Sequence, residues 1–277
     1  MIGRVLIIAG SDSGGGAGIQ ADIKTVTCLG GFAATAVTAL TVQNTTGVFG
    51  VHAVPTAFIA QQIEAVVSDI GADIIKTGML ATTEVIETVA DTLDRVAPSV
   101  PRVVDPVMRA KGGHALLADD ASQALIARLV RGAALVTPNL PEAEVLTGLK
   151  IRTLDDMEAA IPACLSLGAR AVLLKGGHVE GDMIVDMLIT AAGVTRFSDT
   201  RIHSTSTHGT GCTLASAIAA GLAAGLTMVP AVQRARAYVR TAIMTAPGLG
   251  RGHGPLNHGH TMAPSTIDAD KAGFSGG

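Results

Sequence analysis

Val5-Leu6-Ile7-Ile8-Ala9-Gly10-Ser11-Asp12-Ser13-Gly14-Gly15-Gly16-Ala17-Gly18 is a short apolar run that empties into a glycine-rich turn. The run is continuous rather than alternating, so residues 5–8 read as a strand buried on both faces. Behind the turn, residues 19–29 read as a helix that stops at Gly30-Gly31. This βα unit repeats along the chain. Strands are predicted over 34–41, 74–77, 102–105, 134–137 and 171–175. Helices are predicted over 56–68, 82–96, 119–129, 141–146, 154–167, 211–224 and 230–246. Residues 48–54 alternate apolar with small or polar residues and read as a strand or a lid piece, and 183–190 with 194–197 as an antiparallel pair about Gly193. Strand and helix in such alternation predict an α/β fold with a mostly parallel sheet covered on both faces. Ligands of these sheets bind beyond the carboxyl ends of the strands. The polar and glycine-rich clusters fall there: 10–18, Gly78-Met79, 105–113, 137–142 and 175–178.

The chain has 277 residues, of which 48% are hydrophobic and 16% charged, so disorder is excluded as its general state. No composition shift divides it, and one domain over 1–262 with a disordered tail over 263–277 is expected. The 33 Gly, 5 Phe, 1 Tyr and absent Trp leave Ala, Val, Ile and Leu to build the core. A net charge of −3 gives no reason to expect nucleic acid or an anionic membrane as partner. Cys28, Cys164 and Cys212 form no CxxC, so neither zinc ribbon nor disulfide scaffold is indicated, and a reduced cytoplasm is the expected setting. The apolar start is too short for a signal-peptide core with its cleavage site. The longest uncharged stretch, 213–233, is rich in Ala, Gly, Ser and Thr and reads as a closely packed helix and turn rather than a membrane span.

Gly16-Ala17-Gly18-Ile19-Gln20-Ala21 fits the G-x-G-x-x-A form of a dinucleotide fingerprint. That reading needs an acidic residue roughly 20 positions later, and residues 23–63 contain no Asp or Glu. The Walker pattern is absent too. What remains is either a tight βα turn or a loop whose backbone must approach a small ligand closely.

Thr207-His208-Gly209-Thr210-Gly211-Cys212-Thr213 places two glycines before a long apolar helix. Free N–H groups at a helix start make an anion site, and charge stabilisation is most of what phosphoryl transfer requires. Cys212, in the first turn, reads either as a small buried hydrophobe or as a thiol acidified by the helix end, a base or hydrogen-bond partner for a hydroxyl. Asp105, Asn139 and Glu142 read as helix caps and fold ion pairs, or as oxygen donors around Mg²⁺. Lys175 before Gly176-Gly177 is a candidate phosphate partner. His253, His258 and His260 stand among Gly and Pro, which argues for a loop without fixed metal geometry.

In combination these stretches resemble the hydroxymethylpyrimidine/phosphomethylpyrimidine kinases of the ribokinase-like superfamily. The matching motifs, in family order over residues 5–258, are 8–22, Thr38-Ala39-Leu40-Thr41-Val42-Gln43-Asn44-Thr45, Lys76-Thr77-Gly78-Met79-Leu80, Asp105-Pro106-Val107-Met108, 137–143, Lys175-Gly176-Gly177-His178 and 207–213. The resemblance implies a three-layer α/β/α sandwich, a homodimer, ATP and Mg²⁺ as cofactors, and two successive phosphorylations of a hydroxymethylpyrimidine in thiamine biosynthesis. By that resemblance Gln43 reads the ring nitrogen and amine. Gly10, Ala17, Met79 and Val107 line the pocket, and Asp22 belongs with the substrate-binding motif. Cys212 takes the catalytic position, and Gly209, Thr210 and Gly211 form the anion hole. Asn139 and Glu142 serve phosphates and Mg²⁺, with Lys175 beside the nucleotide; Asp105, on its place at a strand end alone, is the second candidate metal ligand. The chain departs from the family pattern at Ser13, at Gly112 and in His203-Ser204-Thr205-Ser206. Pyridoxal kinases of the same superfamily are the alternative, and beyond them a nucleotide-binding module without catalysis.

Overall fold

The structure, a computed structural model, describes residues 2–109, 116–118 and 120–262. Gly112, Asp119 and the tail over 263–277 lie outside those residues. The first strand, β1 (Arg4–Ala9), pairs in parallel with β2 (Phe32–Val37) on one side and with β5 (Ile74–Thr77) on the other. Outward from β5 come β6 (Arg102–Val104), β7 (Leu135–Val136) and β8 (Ala171–Leu174), also parallel. Antiparallel β9 (Met183–Thr190) and β10 (Gly193–Thr200) finish the eight-stranded sheet. The chain leaves β1 toward β2 and then returns past it to β5. The crevice at the carboxyl ends of β1 and β5 is therefore the switch point at which such sheets bind ligands.

Alternate residues of β1 serve opposite faces, as the two-residue period of a strand requires. Val5, Ile7 and Ala9 pack under α1 (Gly18–Cys28), α8 (Thr210–Ala223) and α9 (Met228–Met244). Leu6 and Ile8 pack under α2 (Thr56–Asp69), α3 (Thr83–Val96) and the helices α4 (Ala121–Leu125) and α5 (Leu140–Thr147). The result is the α/β/α sandwich expected. In α8 seven successive residues, from Leu214 to Ala220, are all buried, five of them Ala or Ser. Small side chains let this helix sit close to sheet and neighbours at once. The uncharged run over 213–233 is thus two helices and a turn, and among the described residues no helix is long and apolar enough to cross a membrane.

Two predicted elements divide. The strand expected over 34–41 breaks at Thr38 into β2 and β3 (Ala39–Asn44). Thr38 donates its N–H to Ala9 and its hydroxyl to the Met79 carbonyl, 2.7 Å away, which ties the chain to the ends of β1 and β5 and turns it out of the main sheet. There β3 pairs with β4 (Gly47–Ala53) in a separate antiparallel ribbon, with a register shift between Val42 and Gln43. The helix expected over 154–167 is α6 (Leu154–Ala159) and α7 (Ile161–Ser166), because Pro162 lacks the N–H that would continue it.

Candidate active site

The two glycine-rich segments, far apart in sequence, lie against each other. Gly209 caps α8 with φ +78°, and a Cβ there would overlap the Gly16 carbonyl. Gly18 opens α1 with φ +54°, and a Cβ there would overlap the Gly10 carbonyl. Both positions combine the left-handed region, costly for side chains, with direct backbone contact. The glycines thus let the starts of α1 and α8 close on each other beyond β1.

Asp12 ties the first of these segments together. Its carboxylate accepts the N–H groups of Gly14, Gly16 and Ala17 and stands 2.8 Å from His208 Nε2. Burial opposes its ionisation, but His208 and the backbone donors outweigh that and hold the acid below its usual range. Gln43, half-buried at the β3 irregularity, brings its amide nitrogen to 3.2 Å from the same His208 nitrogen. Ser13 grips the Gln43 backbone through two hydrogen bonds of 2.8 and 2.9 Å. A residue expected to read a ring is therefore one side chain away from the Gly209 turn. Around it, Met79 lies against Gly10, where a Cβ would come within 3.0 Å of its sulfur. Ala17 and Val107 remain partly exposed at the same strand ends.

Asp12 and His208 went unread in the sequence. The signal for Asp12 is present: an Asp followed two to five residues later by the N–H donors of a glycine-rich turn is a loop organised on a carboxylate.

Cys212 sits in the first turn of α8, partly exposed, facing the Gly18 N–H. The acidified thiol expected from the helix end is not what the structure gives. Burial, reinforced by Asp22 and Asp105, pushes Cys212 up to about 12 against the opposing pull of Lys76 and the Gly18 N–H. The thiol is neutral, because lost hydration outweighs the pull of Lys76 and the Gly18 N–H. Asp22 is likewise not at an open pocket. It is fully buried, its oxygens taken by Lys76 at 2.9 and 3.0 Å and by the Ser216 hydroxyl at 2.6 Å.

A second group of charges borders the α8 turn. Lys175 Nζ lies 3.5 Å from Asp105 Oδ1 and 3.9 Å from Glu142 Oε2, and a Cβ on Gly211 would stand 3.3 Å from that ammonium. Burial opposes the charge of Lys175, but Asp105 and Glu142 outweigh it and raise its pKa. Thr137 donates to Asp105 at 3.1 Å. Asn139 and Glu142 cap α5 reciprocally: Glu142 N–H donates to Asn139 Oδ1 at 2.9 Å, and Asn139 N–H to Glu142 Oε2 at 2.8 Å. Burial pushes Glu142 up to about 7. Among the described residues no group of three or more His, Cys, Asp or Glu is arranged to hold a metal. Two carboxylates beside the start of α8 nevertheless suit Mg²⁺, which takes one or two protein carboxylates and completes its shell with phosphates and water. A groove of 590 Å³ runs on from Leu140 and Pro141 past Arg152 to Val179. Of the histidine-rich segment His258 packs inward: its Nε2 is 3.0 Å from Thr213 Oγ1, and burial lowers that imidazole to about 4.

Comparison with known proteins agrees with this arrangement. The phosphomethylpyrimidine kinase family matches residues 12–257. The thiamine biosynthesis bifunctional protein ThiED of Geobacter sulfurreducens is 54% identical over 92% of the chain, which spans only 52% of that longer protein. A hydroxymethylpyrimidine/phosphomethylpyrimidine kinase of Bacillus subtilis is 45% identical over 92% of the chain and 94% of its own length. Among solved structures, the pyridoxal kinase of Staphylococcus aureus in complex with AMP-PCP and pyridoxal superposes with a TM-score of 0.86 at 35% identity, covering 94% of each chain. The chain is a kinase with the ribokinase-like fold, and it belongs to the phosphomethylpyrimidine kinase family.

Proposed function

We propose that this kinase transfers the γ-phosphoryl group of ATP to 4-amino-5-hydroxymethyl-2-methylpyrimidine, and then phosphorylates the monophosphate to the diphosphate, in thiamine biosynthesis. The observation that carries the reading is the contact between the two glycine-rich segments. It brings Gln43, through His208, next to the turn of Gly209, Thr210 and Gly211 that opens the helix bearing Cys212, which supports a site shared by these residues.

In the first step the hydroxyl oxygen bonds to the γ-phosphorus as the bond to the β,γ-bridging oxygen breaks, and ADP leaves with that electron pair. The amides of the α8 start, with Lys175 beside Gly211, offset charge on the transferring oxygens. Cys212, being neutral, orients the hydroxyl by accepting its hydrogen bond on sulfur. The proton leaves late, to a phosphoryl oxygen, as a loose transition state permits. Asp105 and Glu142 would hold Mg²⁺, directly or through water, which offsets phosphate charge when bound. Asn139 and Lys175 serve the nucleotide phosphates, and the groove beyond Leu140 takes the nucleoside end.

Pyridoxal kinase activity is the second reading, favoured by the structural likeness to the staphylococcal enzyme. An amide offers one donor and one acceptor to an aminopyrimidine edge, whereas pyridoxal lacks the amine. ADP release measured side by side with the pyrimidine alcohol, its monophosphate and pyridoxal is the test. A tenfold preference for pyridoxal overturns the proposal. Gln43→Leu should lower kcat/KM for the pyrimidine alcohol about 30-fold, roughly what leaving paired polar groups unmet costs.

We infer further that the protein works as a homodimer in a reducing cytoplasm. The β3–β4 ribbon supports the first point: it exposes Leu40, Val42 (64%), Phe49 (67%) and Val51, an apolar strip more extensive than isolated surface hydrophobes account for. Three free cysteines suit the second. Val42→Asp should convert a dimer to a monomer in analytical ultracentrifugation. A wild-type chain that sediments as a monomer at micromolar concentration removes the dimer from the proposal.

A further inference from the structure

Lys76 heads the fully buried side chains by size. Burying an ammonium costs several kcal/mol before its partner repays it, and an apolar residue of like volume is often no worse for stability. The mechanism above makes no use of this charge, yet the charge lies at the centre of the site's framework. Lys76 Nζ donates to both oxygens of Asp22, and Ser216 donates to Asp22 Oδ1. On α8, Ser216 is one turn beyond Cys212. On α1, Asp22 is one turn beyond Gly18, whose N–H faces the Cys212 sulfur. Residues four apart share a helix face. The Gly18/Asp22 face of α1 therefore meets the Cys212/Ser216 face of α8 along one seam. Lys76 enters that seam from β5, beside Gly78, where a Cβ would lie 3.0 Å from its ammonium.

We infer that Lys76 is a positioning residue for phosphoryl transfer: Asp22 and Ser216 hold its ammonium as the positive end of a fixed ion pair behind Cys212 and the Gly209–Gly211 turn, toward the oxygens of the transferring group. A charge oriented in advance in a poorly hydrated site needs no reorganisation as the reaction proceeds, and it acts at low effective dielectric. The assignment rests on the kinase reading above. It differs from a purely structural role for the Lys76–Asp22 pair, in which the pair fastens α1 to the sheet and nothing more.

The double variant separates the two. Lys76→Met alone strands Asp22, and Asp22→Asn alone strands Lys76, so each single variant mixes lost charge with a buried unpaired group. K76M/D22N removes both charges at similar volume. We expect it to fold with a thermal midpoint near wild type, with kcat lowered about 30-fold in both phosphorylation steps and KM for the pyrimidine within about twofold, as loss of transition-state electrostatics requires. Recovery of wild-type kcat in the double variant overturns the inference. A second readout needs no substrate: iodoacetamide labelling of Cys212 at one fixed pH, quantified by mass spectrometry. Labelling should slow in K76M, where the thiolate loses its cation, and quicken in D22N, where Lys76 is left to pair with it. Faster labelling in both variants indicates mere loosening and also overturns the inference. A wild-type enzyme inactive on the pyrimidine alcohol would sink the substrate reading alone, since the labelling contrast stands apart from it.

Discussion

Cys212→Ala is expected to slow the first phosphorylation about 30-fold and to leave the second within about threefold, the first figure being what loss of one orienting hydrogen bond of about 2 kcal/mol gives. The two steps differ in their nucleophile. The first uses an alcohol, whose hydroxyl must be oriented and finally deprotonated. The second uses a phosphate monoester, already ionised and already rich in lone pairs. Only the first has a hydrogen for the sulfur to accept. Because burial pushes the thiol up to about 12, the proposed mechanism has Cys212 contribute geometry and a polarizable acceptor rather than a ready base. Cys212→Ser, which keeps an acceptor at that place, should therefore recover more of the first step than alanine does. The measurement is single-turnover phosphorylation of the alcohol and, separately, of the purified monophosphate. Equal losses in both steps would falsify this division.

Gly209→Ala should abolish both steps and destabilise the fold by about 3–5 kcal/mol, combining strain at a left-handed position with overpacking against backbone. The Gly16 carbonyl occupies the space that a Cβ would need, and backbone, unlike the end of a flexible side chain, cannot swing aside. The start of α8 must then retreat from α1, taking the Thr210 and Gly211 amides and Cys212 away from Gln43. Gly132→Ala is the control. Its φ is +78° as well, but its side is open, so it should show strain without loss of activity. Urea titration with steady-state kinetics on both variants decides the matter, and an active, stable Gly209→Ala would show that the contact is dispensable.

Much of this framework was legible in the sequence because it depends on local signals. Continuous apolar runs ended by glycine or proline gave the parallel strands, and β5 over 74–77 agrees residue for residue. The Cys212 helix was marked by glycines at its start. What escaped were features set by tertiary contact. Thr38 looks like part of one strand until Ala9 and Met79 bind it and split that strand between two sheets. Lys76 looks like one polar residue in a strand, and only its burial against Asp22 makes it notable. The sequence leaves Cys212 between a buried hydrophobe and an acidified thiol for the same reason. The helix end is visible in sequence, whereas the desolvation and the Asp22 and Asp105 carboxylates that raise the thiol are not. Asn139 and Glu142 fit both caps and ligands in the sequence, and both roles remain compatible because the capping box leaves Glu142 within 3.9 Å of Lys175.

The partners Asp12 and His208 are separated by 196 positions. A ribosome must therefore deliver most of the chain before the second glycine-rich segment can meet the first. Closing so long a loop costs entropy that is recovered only when the contact forms. Catalytic competence should accordingly be among the last properties a growing or refolding chain acquires, well after β1, β2 and β5 have paired. Unfinished chains would then hold no working phosphoryl-transfer centre with which to spend ATP.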